Sequence, residues 1–157
     1  MSQSVVNAAR SWLGTPFKHQ GRLKGIGCDC LGLVIGIASG LNLVTKHGQL
    51  ISQIDRRDYP QNIANKALED VLDAQLVPLT DLEVGTLLLM EFDNYPQHLA
   101  IVCDNLNYGY GVIHADRSKG GVVEHGLSFK YLTKIKKIYQ LTNEFRAPSA
   151  GEPQCQQ

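Results

Sequence analysis

The run Gly27-Cys28-Asp29-Cys30-Leu31-Gly32-Leu33-Val34 sets a glycine-bearing approach directly before an apolar segment. The pattern predicts a helix that starts near Asp29 or Cys30, runs to about Ser39 and takes Gly40 as its C-cap. Gly32 and Gly36 lie inside that helix and each lowers its propensity by about 1 kcal/mol; close packing against a sheet would account for both. A cysteine in a first helical turn is chemically distinctive. An ordinary thiol has a pKa near about 8.5, and a helix N-terminus or a neighbouring imidazolium lowers it. Asp29 is expected to accept backbone hydrogen bonds and fix the turn, pointing away from the sulfur. The alternative for Cys30 is a small buried hydrophobe.

A nucleophilic thiol needs a base, and two histidines stand at the right kind of place downstream. His98 heads Leu99-Ala100-Ile101-Val102, and His114 ends Gly111-Val112-Ile113. The short linker Asp104-Asn105-Leu106-Asn107-Tyr108 predicts two antiparallel neighbours that bring the histidines together. His98 would then face the helix terminus as base, with His114 orienting its ring. Asp116 competes for the orienting role at greater reach. The residues read as a cysteine hydrolase.

Around this centre the hydrophobic period divides the chain. Val5, Val6, Ala9, Trp12 and Leu13 recur at helical spacing, and Gly14-Thr15-Pro16 ends that helix. Residues 17 to 27 read as a loop, 41 to 60 as a short strand or turn followed by polar loop, and 62 to 74 as an amphipathic helix. Pro78 breaks the chain. Short strands follow at 86–90, 98–103, 109–115, 121–125 and 134–141, although Ile135, Ile138 and Leu141 depart from strict alternation. Helices first and a meandering sheet afterwards indicate the α+β class. One domain over residues 1–145 is expected, with 146–157 as a flexible tail in which Cys155 is incidental.

The chain of 157 residues carries 15 Lys+Arg against 15 Asp+Glu, so it has no electrostatic footprint for nucleic acid. No run approaches the ~20 apolar residues of a membrane span. Met1-Ser2-Gln3-Ser4-Val5-Val6 lacks the basic start and apolar core of a secretory signal. Cytoplasmic synthesis is therefore expected, with any export by another route. Cys28, Cys30, His98 and His114 also supply zinc-ligand types, but Cys-x-Cys is tighter than the usual knuckle. No metal or cofactor is expected.

The ordered blocks Trp12-Leu13-Gly14-Thr15-Pro16-Phe17, Gly21, Gly27, Asp29-Cys30-Leu31-Gly32-Leu33-Val34, His98-Leu99-Ala100-Ile101-Val102 and Ile113-His114-Ala115 resemble the NlpC/P60 family of papain-like cell-wall cysteine peptidases. His19-Gln20-Gly21-Arg22 with Gly27-Cys28-Asp29-Cys30 looks especially like the versions from phage tails and gene-transfer particles. The resemblance implies a papain-like fold of helices on a small antiparallel sheet, and hydrolysis of a peptidoglycan stem-peptide amide, usually γ-D-glutamyl to diamino acid. It implies Cys30 as nucleophile, His98 as base and His114 as orienting residue. It also implies action in the cell wall, with phage tail or particle proteins as partners. Family members often carry a tyrosine where this chain has Phe17, so His19, Lys18 or the backbone would have to supply the missing donor. Phe17, His19, Asp29 and Arg22 are the candidate substrate-side residues. A non-catalytic wall-binding or tail-assembly role, or an amidase or other acyl transfer on the same site, are the alternatives.

Overall fold

The computed structural model describes residues 1–60, 66–92 and 95–147. Helix α1 (Ser2–Arg10) turns Val5, Val6 and Ala9 inward, as their spacing predicts. The region expected as loop contains a small hairpin, β1 (Arg22–Leu23) with β2 (Gly27–Cys28). Helix α2 (Cys30–Leu41) begins at the predicted residue but outruns Gly40. Its cap is Asn42, at φ 53° and ψ 44°, a left-handed conformation that asparagine tolerates better than most side chains.

The interior glycines of α2 serve a closer neighbour than a sheet. A Cβ on Gly36 would lie 2.0 Å from the Trp12 ring, and one on Gly32 would lie 1.9 Å from the carbonyl oxygen of Gly21. The helix therefore presses its bare backbone onto α1's trailing turn and onto the loop before the hairpin. Backbone yields less readily than a side chain, so Gly32→Ala is expected to lower the melting temperature more than Gly36→Ala. The overpacking penalty is about 1–3 kcal/mol, read as a drop of several degrees in a thermal melt.

After a 3-10 turn (Ile51–Ile54) comes α3 (Ala67–Gln75). The predicted helix started at 62; residues 61–65 lie outside the described ones. Pro78 opens a strand as well as ending the helical region. The strands are β3 (Pro78–Leu79), β4 (Leu87–Phe92), β5 (Tyr95–Asn105), β6 (Gly109–Asp116), β7 (Gly121–Gly126) and β8 (Ile135–Tyr139). They form one antiparallel sheet in the order β3-β8-β4-β5-β6-β7. A short helix, α4 (Phe129–Leu132), which the sequence pattern did not show, precedes β8. Of the expected tail, residues 148–157, Cys155 among them, lie outside the described residues.

The meander holds from β4 to β7, but β8 crosses back to the far side of β4. Its irregular spacing has a cause: Leu89 pairs Lys137 while Met90 pairs Ile135, a register shift that absorbs an extra residue. Ile135 and Ile138 consequently pack on the same cluster despite being three apart. Glu69 and Asp73, four apart on one face of α3, tie that helix to Lys137 of β8 at 3.1 and 2.7 Å.

Strand alternation gives the sheet two apolar faces. Leu87, Leu89, Leu99, Ile101, Ile113 and Ala115 join α1 and α2 in the main core. Leu88, Met90, Ala100, Val102 and Val112 form a second, smaller core with Leu127 and Tyr131. His98 and His114 continue the second set along β5 and β6.

Candidate active site

Asp29 sets the entry to α2. Its backbone is extended, and its Oδ1 accepts the Gly32 N–H at 2.8 Å, an N-cap. Oδ2 accepts the Gln20 N–H at 2.8 Å and the Tyr59 hydroxyl at 2.5 Å. Gln20 holds φ 60° to present that N–H. The expectation that this carboxylate takes backbone donors agrees with these bonds; the expectation that it stays clear of the thiol does not, because its charge raises Cys30. The Asp29 carbonyl takes the Leu33 N–H at 3.0 Å. Cys30 and Leu31 are left as the first-turn N–H groups, and both bear on the Cys30 sulfur together with the N–H of Leu99, the residue after His98.

Cys30, half-buried, opens into a cavity of about 440 Å³ whose lining includes Phe17, His19, Tyr59, His98 and His114. Helix terminus and histidine strands therefore meet at one solvent-reachable space. His98 Nε2 lies 2.8 Å from His114 Nδ1. Asp116 also lines the cavity, where its Oδ1 accepts from the backbone and hydroxyl of Ser118 at 2.9 and 2.7 Å, while the partner on His98 Nε2 is His114.

Of the substrate-side candidates, Phe17, His19 and Asp29 line the cavity. His19 stands edge-on to Tyr59, ring centroids 5.5 Å apart. Arg22 requires a correction. Its guanidinium is buried, paired with Asp55 at 3.0 Å and Asp29 at 3.3 Å, and it is absent from the cavity lining. It braces the nucleophile's turn, and its charge is taken up by Asp55, 33 residues away, rather than presented to the cavity. The charges that do line the cavity are Arg117, Lys130 and Lys134 opposite Asp29 and Asp116 in sign. Tyr59 and these cations escaped the sequence reading, because a tyrosine or lysine in a polar segment carries no local signal.

Burial opposes the charge state expected for the thiol. The Cys30 thiol is pushed up to about 12, mainly by burial and then by the Asp29 carboxylate, against the lowering effect of the three N–H groups. His98 is pushed down to about 4 by burial, which outweighs the attraction of Asp116. His114 is pushed down to about 3 by burial and by the neighbouring rings of His98 and His125. The resting pair at neutral pH is thus thiol and imidazole. Cys28 is fully buried in the main core, off the cavity lining, with its own thiol raised to about 11 by burial. Among the described residues, no cluster of three His, Cys, Asp or Glu is disposed to hold a metal.

The depressed histidines make stability depend on pH in a definite direction. Between the ordinary 6.5 and about 4, the unfolded chain binds protons at these rings that the folded chain refuses. Stability is present above that window and falls as pH falls through it, by up to about 1.4 kcal/mol per pH unit for each proton. Thermal melts from pH 7 to 4 should show this decline, and His114→Gln should flatten it.

No family model matches the chain, and no curated protein does. Among solved structures, the NlpC/p60 domain of the peptidoglycan hydrolase SagA superposes with a TM-score of 0.56 at 16% identity, over 89% of this chain and 98% of that one. The fold is therefore the α+β, papain-like NlpC/p60 fold.

Proposed function

We propose that this protein is a cysteine peptidase that hydrolyses an amide in peptidoglycan stem peptides, at the γ-D-glutamyl–diamino acid bond. The observation that carries the reading is the meeting of Cys30, at the first turn of α2, with the His98–His114 pair in one open cavity. The peptidoglycan hydrolase among its fold neighbours supports the substrate class.

The chemistry follows from the neutral resting pair. His98 Nδ1 takes the thiol proton as the Cys30 sulfur forms a bond to the amide carbon, whose oxygen becomes an oxyanion. The N–H groups of Cys30 and Leu31 are the donors for that oxygen, so no hydroxyl is required at Phe17. The intermediate collapses, the C–N bond breaks, and the amine leaves with the proton from His98. Water then attacks the thioester, delivering one proton to His98, which returns it to sulfur as the C–S bond breaks. His114 holds the ring throughout. Lys130, on the same cavity lining, supplies positive charge for a stem-peptide carboxylate.

Delivery by a phage tail or similar particle, with action in the wall after cytoplasmic synthesis, rests on the His19–Arg22 and Gly27–Cys30 residues alone. Purified sacculi and defined muropeptides, incubated with the protein and read by mass spectrometry, test the reading. New amine termini on the diamino acid are expected. Sacculi that gain none would sink it, and cleavage at another amide would move the substrate while keeping the mechanism.

A further inference from the structure

The orienting histidine is itself held. His114 Nε2 lies 2.8 Å from His125 Nε2, and His125 Nδ1 lies 3.0 Å from the carbonyl oxygen of Gly126. Strand register produces this line. Val112 pairs His125 and His114 pairs Val123, so His114 and His125 sit diagonally on one face of β6 and β7. Successive rings cross nearly edge-on, at 79° and 80°, and Tyr131 of α4 covers His125 with centroids 4.5 Å apart.

We infer that His125 is a positioning residue for the proposed peptidase chemistry, fixing through His114 the tautomer in which His98 accepts the Cys30 proton. The inference rests on the cysteine-peptidase reading and follows from donor counting. A neutral imidazole carries one N–H and one lone pair. The Gly126 carbonyl only accepts, so His125 must place its proton on Nδ1 and offer a lone pair at Nε2. His114 then donates from Nε2 and accepts at Nδ1. His98 in turn donates from Nε2, which leaves its Nδ1 lone pair for the thiol. One fixed carbonyl dictates the state of three rings.

Each bond also points its acceptor back towards His98. When that ring gains a proton, its Nε2–H meets a lone pair already polarised by the next bond in line. Loss of the His125 acceptor lets His114 reverse, with its proton on Nδ1. His98 must then accept at Nε2 and carry its proton on Nδ1, the wrong end for a base facing Cys30.

Tautomers can be read directly from long-range proton–nitrogen correlation spectra of the histidine-labelled protein. The wild type should show protons on Nε2 of His98 and His114 and on Nδ1 of His125. His125→Leu should lower kcat by about 100-fold or more, since a correctly protonated general base contributes about 10²- to 10⁴-fold, and shift His98 towards its Nδ1–H form. His125→Gln, whose amide oxygen can take the same N–H, should return kcat to within about threefold with KM little changed. A wild-type His98 protonated on Nδ1, or a His125→Leu protein with unaltered His98 spectra, would overturn the inference. Intact sacculi with the expected spectra would instead count against the peptidase reading, so the two failures are distinct.

Discussion

Cys30→Ala is expected to reduce the release of new amine termini from sacculi to background while leaving the fold in place. The residue is half-buried at the start of α2, where alanine is well accommodated and the Asp29 cap is untouched. No other thiol can substitute for it among the described residues, because Cys28 and Cys103 are both fully buried. Removing a nucleophile from a site that works as a unit lowers kcat by about 10⁴- to 10⁶-fold. His98→Ala should come close to that loss, since a thiol held near 12 has almost no thiolate at neutral pH without a base to take its proton. The same charge states give a sign for alkylation. Labelling of Cys30 by iodoacetamide should be slow at pH 7 and still rising at pH 10, with no acid-side plateau. A melt unchanged in Cys30→Ala, alongside undiminished amine release, would remove Cys30 from the chemistry.

Asp29→Ala is expected to be the most damaging substitution for stability. The carboxylate is buried and takes two backbone N–H groups, the Tyr59 hydroxyl and a share of Arg22. Breaking a buried, hydrogen-bonded charge of this kind removes about 3–5 kcal/mol. Part of that is the N-cap itself, about 1 kcal/mol. Arg22 keeps Asp55 as partner, so the loss should stay within that range. Asp29→Asn retains the cap and the shape, and should forfeit only about 1–2 kcal/mol. It also removes a negative charge that holds the thiol up. Asp29→Asn should therefore fold less stably yet alkylate faster at a given pH. Denaturant melts together with iodoacetamide kinetics separate the two effects, and slower labelling would contradict the electrostatic account.

The legible and illegible parts of this molecule differ in how far apart their causes lie in the chain. Cys30 was readable because the glycine approach, the aspartate and the apolar run are adjacent. His98 and His114 were readable because one short linker joins their strands. His125 was within a predicted strand, but its place beside His114 depends on the β6–β7 register, which no local pattern states. Arg22 was misjudged for the same reason, as Asp55 reaches it across the fold. The four residues of α4 are too few to show a period. Gly40 looked like the end of α2 because glycine is the commoner cap, and Asn42 took the position instead.

The placement of β8 bears on how the protein is made. A ribosome releases β4 to β7 in order, and each can pair with its predecessor as it appears. The strand that completes β4's other side, and seats the fully buried Tyr139, is the last of the six to be synthesised. Until then the nascent chain exposes β4 as a long apolar edge, open to unwanted pairing with another copy. Translation that stops before Ile135 should yield insoluble product, even though Cys30, His98 and His114 have all been made.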